Sequence, residues 1–159
     1  MGLCTVGISD IRISNSVDES LITYSLGSCI GVAVYDPVQK LGGMIHYMLP
    51  QSKISPEKAM IKPAMFADTG IPLLLDSLVS EGAAKDRLIL KVAGGAQLMD
   101  DNKLFNIGER NFLMLRKIIW TYNILIRGQH VGGNIARTLK LDIATGKVIV
   151  KFAGGEIEL

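Results

Sequence analysis

Apolar and polar residues alternate with a period of two through much of the first fifty positions, the signature of half-buried strands. Leu3–Ile8 and Ile11–Ile13 read as short strands, the second carrying Ile11 and Ile13 around Arg12. Asn15–Glu19 is a polar turn, and Leu21–Ser25 resumes an extended pattern that delivers Thr23 just ahead of Leu26-Gly27-Ser28. Leu26–Pro50 then reads as one β-hairpin. Asp36-Pro37-Val38-Gln39 suits a four-residue loop on a type I turn, with Asp first and Pro second. That loop pairs Tyr35 with Lys40, Gly31 with Met44 and Cys29 with His46.

The second half changes period. Gln51–Pro63 mixes Ser, Lys and prolines and reads as an exposed loop able to act as a rim or lid. A helix follows, with Asp68 or Thr69 as N-cap and Pro72 in the first turn. Its apolar face is Leu74, Leu75, Leu78 and Val79, and Gly82 stops it. Arg87–Ala93 is a strand ending in Gly94-Gly95. Gln97–Asn106 is a polar loop, and Gly108–Tyr122 is a second helix with Phe112, Leu115, Ile118, Ile119 and Tyr122 at helical spacing. Ile124–Ile126 is a further strand. Ala136–Leu141 and Val148–Phe152 form a second hairpin through Ala144-Thr145-Gly146. Strands first, then strands alternating with two main helices, predict a single α+β domain over residues 1–159 with a largely antiparallel sheet system.

Strand alternation sorts the first hairpin into two faces. Ile30, Val32, Val34, Leu41, Gly43 and Ile45 make a core face. Cys29, Gly31, Ala33 and Tyr35 lie against His46, Met44, Gly42 and Lys40 on the other, where the small residues leave shallow space. Directly opposed Cβ atoms lie about 4.5–5.5 Å apart, so Cys29 and His46 form a candidate thiol–imidazole pair. A histidine that accepts the thiol proton favours the nucleophilic thiolate. Gly27 and Ser28 place backbone N–H groups in a tight turn able to bind a developing oxyanion. The imidazole needs a third group to orient it, for which Thr23, Ser25 and Ser28 all qualify. His130 is an alternative base, more simply read as capping a strand near Gly132-Gly133.

Composition narrows the chemistry. Hydrophobic residues are 48% and charged residues 20% of the chain, which suits an ordinary globular protein. A net charge of +2 is too small to argue for nucleic acid or an anionic membrane. No apolar run approaches the ~18 residues of a membrane span. The N-terminal MGLCTVGISD has neither signal-peptide order nor the Ser or Thr that myristoylation requires at Val6. Two cysteines without an export signal predict a cytoplasmic protein with free thiols rather than a Cys4–Cys29 bridge. Cys4, Cys29, His46 and His130 lack metal-ligand spacing, so no metal or cofactor is expected. Ala93-Gly94-Gly95-Ala96 lacks dinucleotide spacing and reads as a turn of close backbone approach. Asp100-Asp101 reads as a solvated pair.

Five segments carry a family resemblance: Thr23–Pro37 (TYSLGSCIGVAVYDP), Gly42–Pro50 (GGMIHYMLP), Lys91–Ala96 (KVAGGA), Asn106–Asn111 (NIGERN) and Gly132–Arg137 (GGNIAR). Together, and in this order, they resemble the chemoreceptor glutamine deamidase CheD of bacterial and archaeal chemotaxis. The resemblance implies a layered α/β sandwich related to the catalytic domains of deamidating cytotoxic necrotizing toxins. It implies an enzyme converting chemoreceptor glutamines to glutamates, with Cys29 as nucleophile, His46 as its histidine and Thr23 as supporting threonine. Receptor methylesterase activity is chemically plausible beside it. Ser25, Gly31 and Met44 are then candidates for the face that meets a receptor's cytoplasmic helix. The implied partners are the chemoreceptor and the chemotaxis phosphatase CheC, so a regulatory module for that phosphatase is the alternative reading. Two positions depart from the family pattern. Ser25 stands where glycine is frequent, and His130 where an acidic residue commonly precedes the Gly-Gly-Asn segment.

Overall fold

The computed structural model describes residues 2–98 and 105–159. The period-two segments form two five-stranded sheets. The first orders β1 (Gly2–Thr5), β3 (Glu19–Leu26), β8 (Arg137–Asp142), β9 (Val148–Phe152) and β10 (Gly155–Glu158). The second orders β2 (Asp10–Ser14), β5 (Leu41–Tyr47), β4 (Ile30–Asp36), β6 (Ile89–Gly94) and β7 (Ile126–Val131). Pairing is antiparallel except for β1 with β3 and β6 with β7. The mixed α/β, mostly antiparallel class expected from sequence is the class observed. β10, too short and polar to read from its pattern, extends the first sheet by pairing with β9.

Helices α2 (Ala67–Ser80) and α3 (Ile107–Thr121) cover one face of the second sheet. Ile71, Leu74 and Leu78 of α2 and Leu115 and Ile119 of α3 pack there with Ile30, Val32, Val34 and Ile45. The other face packs on the first sheet, where Ala33, Tyr35 and Met44 meet Leu21, Leu26, Leu139, Leu141 and Val150. The layers therefore run helices, sheet, sheet, and every residue of β4 and β5 is buried. This corrects the shallow open face expected beside Cys29. A Cβ on Gly31 would lie 2.9 Å from Leu26 and 3.0 Å from Leu139, and one on Gly42 would lie 2.7 Å from Ile143. The missing side chains admit the opposite sheet, not a substrate.

Helix boundaries follow local chemistry. α2 starts at Ala67, not after Asp68. The Asp68 carboxylate instead accepts from the Ser52 backbone and hydroxyl at 2.8 and 2.9 Å, and the Thr69 hydroxyl donates to the Pro63 carbonyl. The α2 end is as expected: Gly82 takes φ +116°, with Gly82 N–H donating to Val79 and Ala83 N–H to Leu78. The supposed loop Gln51–Pro63 contains a 3-10 turn at Ser52–Ile54 and a short helix, α1 (Pro56–Ile61). A Pro at the first helical position and a tether to Asp68 account for the order that its polar composition concealed. The Asp100-Asp101 pair, and part of the Gln97–Asn106 loop, lie outside the described residues.

The hairpin register differs from expectation by two residues. Asp36 pairs with Leu41, Gly31 with His46 and Ala33 with Met44, leaving Pro37–Lys40 as the loop. The reason is Asp36. Its fully buried carboxylate accepts from Arg87 Nε at 3.1 Å and Nη2 at 2.8 Å, from Ala84 N–H at 2.9 Å, and from Val38 and Gln39 N–H. These bonds hold Asp36 in the strand, and Lys40 closes the turn at φ +49°. A shift of two leaves the face assignment intact, because side chains repeat every second residue.

Arg87 holds the Asp36 carboxyl well below the usual carboxylate range, against the opposing pull of burial. Its contribution to stability is therefore present above that range and lost as pH falls below it. Asp36→Ala strands three backbone donors and one guanidinium, and should cost about 2–4 kcal/mol in urea unfolding. A loss under about 0.5 kcal/mol would show that the register is set elsewhere.

Candidate active site

Thr23 and His46 meet between the two sheets. β3 contains a bulge: Thr23 pairs with Leu139 but Leu26 with Arg137, and Ser25 takes φ +59°. The extra residue lets both Thr23 and Leu26 point inward, while Tyr24 and Ser25 face solvent. A left-handed backbone at position 25 also gives the physical reason why glycine suits it.

The Thr23 hydroxyl lies 2.7 Å from the Val6 carbonyl and 2.7 Å from His46 Nδ1. A hydroxyl has one proton, and the carbonyl can only accept. Thr23 therefore donates to Val6, and His46 Nδ1–H donates to Thr23. That fixes the tautomer, leaving Nε2 with a lone pair. This nitrogen is buried and has no hydrogen-bond partner among the described residues. Burial also holds His46 down to a pKa of about 4 from the ordinary 6.5, so the ring is neutral near pH 7. The backbone of His46 is anchored by Ser9 N–H at 2.8 Å.

Cys29 immediately precedes β4, and its partly buried side chain packs against the inter-sheet cluster. His46 faces Gly31 directly, so Cys29 is its diagonal neighbour, one strand repeat further along. The direct pairing expected from sequence is thereby corrected to a diagonal one. No disulfide joins Cys29 to Cys4. Tyr47, next to His46, is pushed well above its ordinary pKa by complete burial and then by electrostatic interaction with Cys29.

The turn carrying Cys29 is held by its carbonyls. Gly27 accepts from Ala96 N–H at 2.8 Å, Cys29 from Gly95 N–H at 2.9 Å, and Ser28 from Asn111 Nδ2 at 3.0 Å. Gly94 takes φ +114°, and a Cβ there would lie 2.2 Å from the Cys29 oxygen. The Gly94-Gly95 pair thus provides the close approach read from sequence, and what it approaches is the Cys29 turn. Buried Arg137 supports the same turn from behind, donating to the carbonyls of Gly94 and Gly132.

Other expected residues fall elsewhere. Met44 and Gly31 are buried in the sandwich, which removes them from a solvent-facing substrate surface. Ser25 is exposed, and Ser28 remains at the turn. The His130 ring stacks on Phe152 at 4.9 Å instead of capping a strand. Its Nδ1 accepts from Arg137 Nε at 2.7 Å, and its pKa is lowered by burial and then by the Arg137 charge. It is committed to Arg137, not to Cys29. Among the described residues no group of three or more His, Cys, Asp or Glu could hold a metal ion. Sequence reading passed over Asn111. Its signal was present: Asn111 falls on the buried α3 stripe with Ile107, Leu115 and Ile119, a polar residue where an apolar one is expected.

Comparison with known proteins adds context to this geometry. A family model described as CheD chemotactic sensory transduction matches residues 48–152. That segment includes Asn111 and Arg137 but not Thr23, Cys29 or His46. Matches to whole relatives extend over the missing part. The chain is 54% identical over 157 residues to the Probable chemoreceptor glutamine deamidase CheD 1 of Syntrophus aciditrophicus, covering 99% of this chain and 98% of the relative. It is 47% identical over 154 residues to the Probable chemoreceptor glutamine deamidase CheD of Solibacter usitatus, covering 97% and 91%. It is 43% identical over 157 residues to that of Desulforamulus reducens, covering 97% and 93%.

Nitrogen-resolved NMR of the folded protein should find the His46 proton on Nδ1 and a titration midpoint near 4. Because this midpoint lies below the unfolded one, the associated stability is complete above about pH 6.5 and is lost as pH falls toward 4. A midpoint at or above the ordinary value would contradict burial as the controlling influence.

Proposed function

The chain belongs to the CheD family, and we propose that it is a cysteine-dependent protein-glutamine glutaminase acting on chemoreceptors. The observation that carries this reading is the buried Thr23–His46 pair, with its unpaired Nε2 on the face that Cys29 continues. The relatives named for glutamine deamidation span nearly the whole chain and support it.

In this mechanism Nε2 of neutral His46 takes the Cys29 proton, and the thiolate attacks the carboxamide carbon of a receptor glutamine. The oxyanion forms beside the Gly27–Cys29 turn, whose N–H groups stabilise it. His46 returns its proton to the departing nitrogen, and ammonia leaves a thioester on Cys29. Water, deprotonated by His46, attacks the thioester and releases glutamate and the thiol. Thr23 keeps the imidazole in the productive tautomer throughout, its own hydroxyl donating a hydrogen bond to the Val6 carbonyl. A glutamate methyl ester presents the same acyl carbon with a better leaving group, so methylesterase activity belongs to the same proposal.

The open face of the hairpin is covered, so the receptor helix must reach Cys29 at the end of the sandwich, near exposed Tyr24 and Ser25. No helix among the described residues is long and apolar enough to cross a membrane, and a cytoplasmic site of action is part of the proposal. So are regulation by the phosphatase CheC and kinship with the deamidating toxin domains.

The test incubates the protein with a chemoreceptor cytoplasmic fragment and maps glutamine-to-glutamate conversion by mass spectrometry. Cys29→Ala should abolish conversion. Conversion by that variant at the wild-type rate removes Cys29 as nucleophile. Thr23→Val removes the acceptor for Nδ1–H and should lower kcat roughly 10–100-fold. A wild-type protein that converts nothing yet captures CheC would replace the enzymatic reading with the regulatory one.

A further inference from the structure

Asn111 makes an arrangement that packing alone does not require. It is fully buried on α3, and its amide nitrogen donates to the Ser28 carbonyl at 3.0 Å and to the Met48 carbonyl at 2.8 Å. Both contacts are acceptors, so the amide orientation is fixed by chemistry. Both Nδ2 protons are used, while Oδ1 is buried without a partner among the described residues. An unpaired buried acceptor is destabilising, a cost that an apolar residue of similar size avoids. The backbone carbonyl of Asn111 also accepts from Tyr47, the residue after His46, at 2.6 Å. One helical residue thus joins the start of β4, beside Cys29, to the end of β5, beside His46.

The Ser28 carbonyl and the Cys29 N–H belong to the same peptide unit. That unit is planar and trans, so the two groups point in opposite directions. Asn111 reaches the carbonyl from the helical layer, so the N–H of Cys29 in the same peptide points away from α3. The flanking peptides are fixed likewise through Gly27 and Cys29 carbonyls on Ala96 and Gly95. Those two bonds come from backbone; the central one depends on a single side chain.

We infer that Asn111 is a positioning residue that aims the Cys29 N–H at the oxyanion by holding the Ser28 carbonyl. This rests on the deamidase reading above. A charge-polarising bond to the carbonyl also strengthens the N–H on the other side of the same peptide as a donor. The role is electrostatic alignment in the transition state, so it acts on kcat more than on KM.

The experiment compares wild type, Asn111→Ala and Asn111→Asp for deamidation of a receptor fragment and for alkylation of Cys29 by iodoacetamide. Alkylation requires the thiol and imidazole but no oxyanion site. Asn111→Ala should lower kcat roughly 10–100-fold, leave KM within about threefold, and leave the alkylation rate within about twofold. Asn111→Asp is nearly isosteric and carries the test even where the alanine variant does not fold. Its carboxylate faces two carbonyls, but once protonated it regains one donor. Burial raises its pKa, so its deficit against wild type should shrink as pH falls from about 8 to about 5. Wild-type kcat in either variant at pH 8 overturns the inference. Equal falls in kcat and alkylation, with no recovery at lower pH, also overturn it and leave Asn111 a structural tie. Absence of wild-type conversion overturns the functional reading itself and this inference with it.

Discussion

The register of the β4–β5 hairpin is the constraint on which the rest depends, and one buried carboxylate sets it. Asp36 gathers a guanidinium and three backbone donors from its own turn and from the α2–β6 connection. Desolvating a carboxylate is costly, and only such a full set of partners offsets it. With Asp36 held in the strand, His46 falls opposite Gly31 and Met44 opposite Ala33. A slip by one residue would exchange the two faces of a hairpin that is buried on both sides. A slip by two would keep the faces but move His46 from its place beside Thr23.

The same sandwich makes the imidazole useful. Its Nδ1 side is closed by Thr23 and Val6, and its Nε2 side is buried and unpaired. Burial disfavours the charged ring, so the neutral base is the resting form. The pair of hydrogen bonds then decides which nitrogen is basic. Packing sets the charge, and the Thr23 hydroxyl sets the direction.

Around Cys29 the logic is reversed, since backbone rather than side chains does most of the positioning. Gly95 and Ala96 donate two backbone N–H groups to the Cys29 turn, and Arg137 fixes that segment from behind. Among the described residues buried Arg137 donates to three carbonyls and to the His130 ring, which engages His130 in support of the turn. Asn111 adds a side-chain contact that joins Ser28, just before β4, to Met48, just after β5. The motifs that look scattered along the chain, Lys91–Ala96, Asn106–Asn111 and Gly132–Arg137, converge on a single loop.

The sequence by itself determined most of the strands, the two main helices and their faces, because strand and helix periods are local properties of the chain. It marked Cys29, His46 and Thr23 as chemistry-bearing residues through spacing, turn residues and family resemblance. It also marked Gly94-Gly95 as a close approach, without saying to what. Tertiary structure decided the register: local turn chemistry placed Asp36 in the loop, and Arg87 and Ala84, far along the chain, hold it in the strand. It decided that the face beside His46 is covered, because Leu139 and Leu141 of the first sheet, with Ile143 just beyond it, fill the space over Gly31 and Gly42. It decided the role of Asn111, a polar residue on an apolar stripe whose partners lie on strands it cannot identify locally. Long-range hydrogen bonds carry no period, and that is why they were legible only in the folded chain.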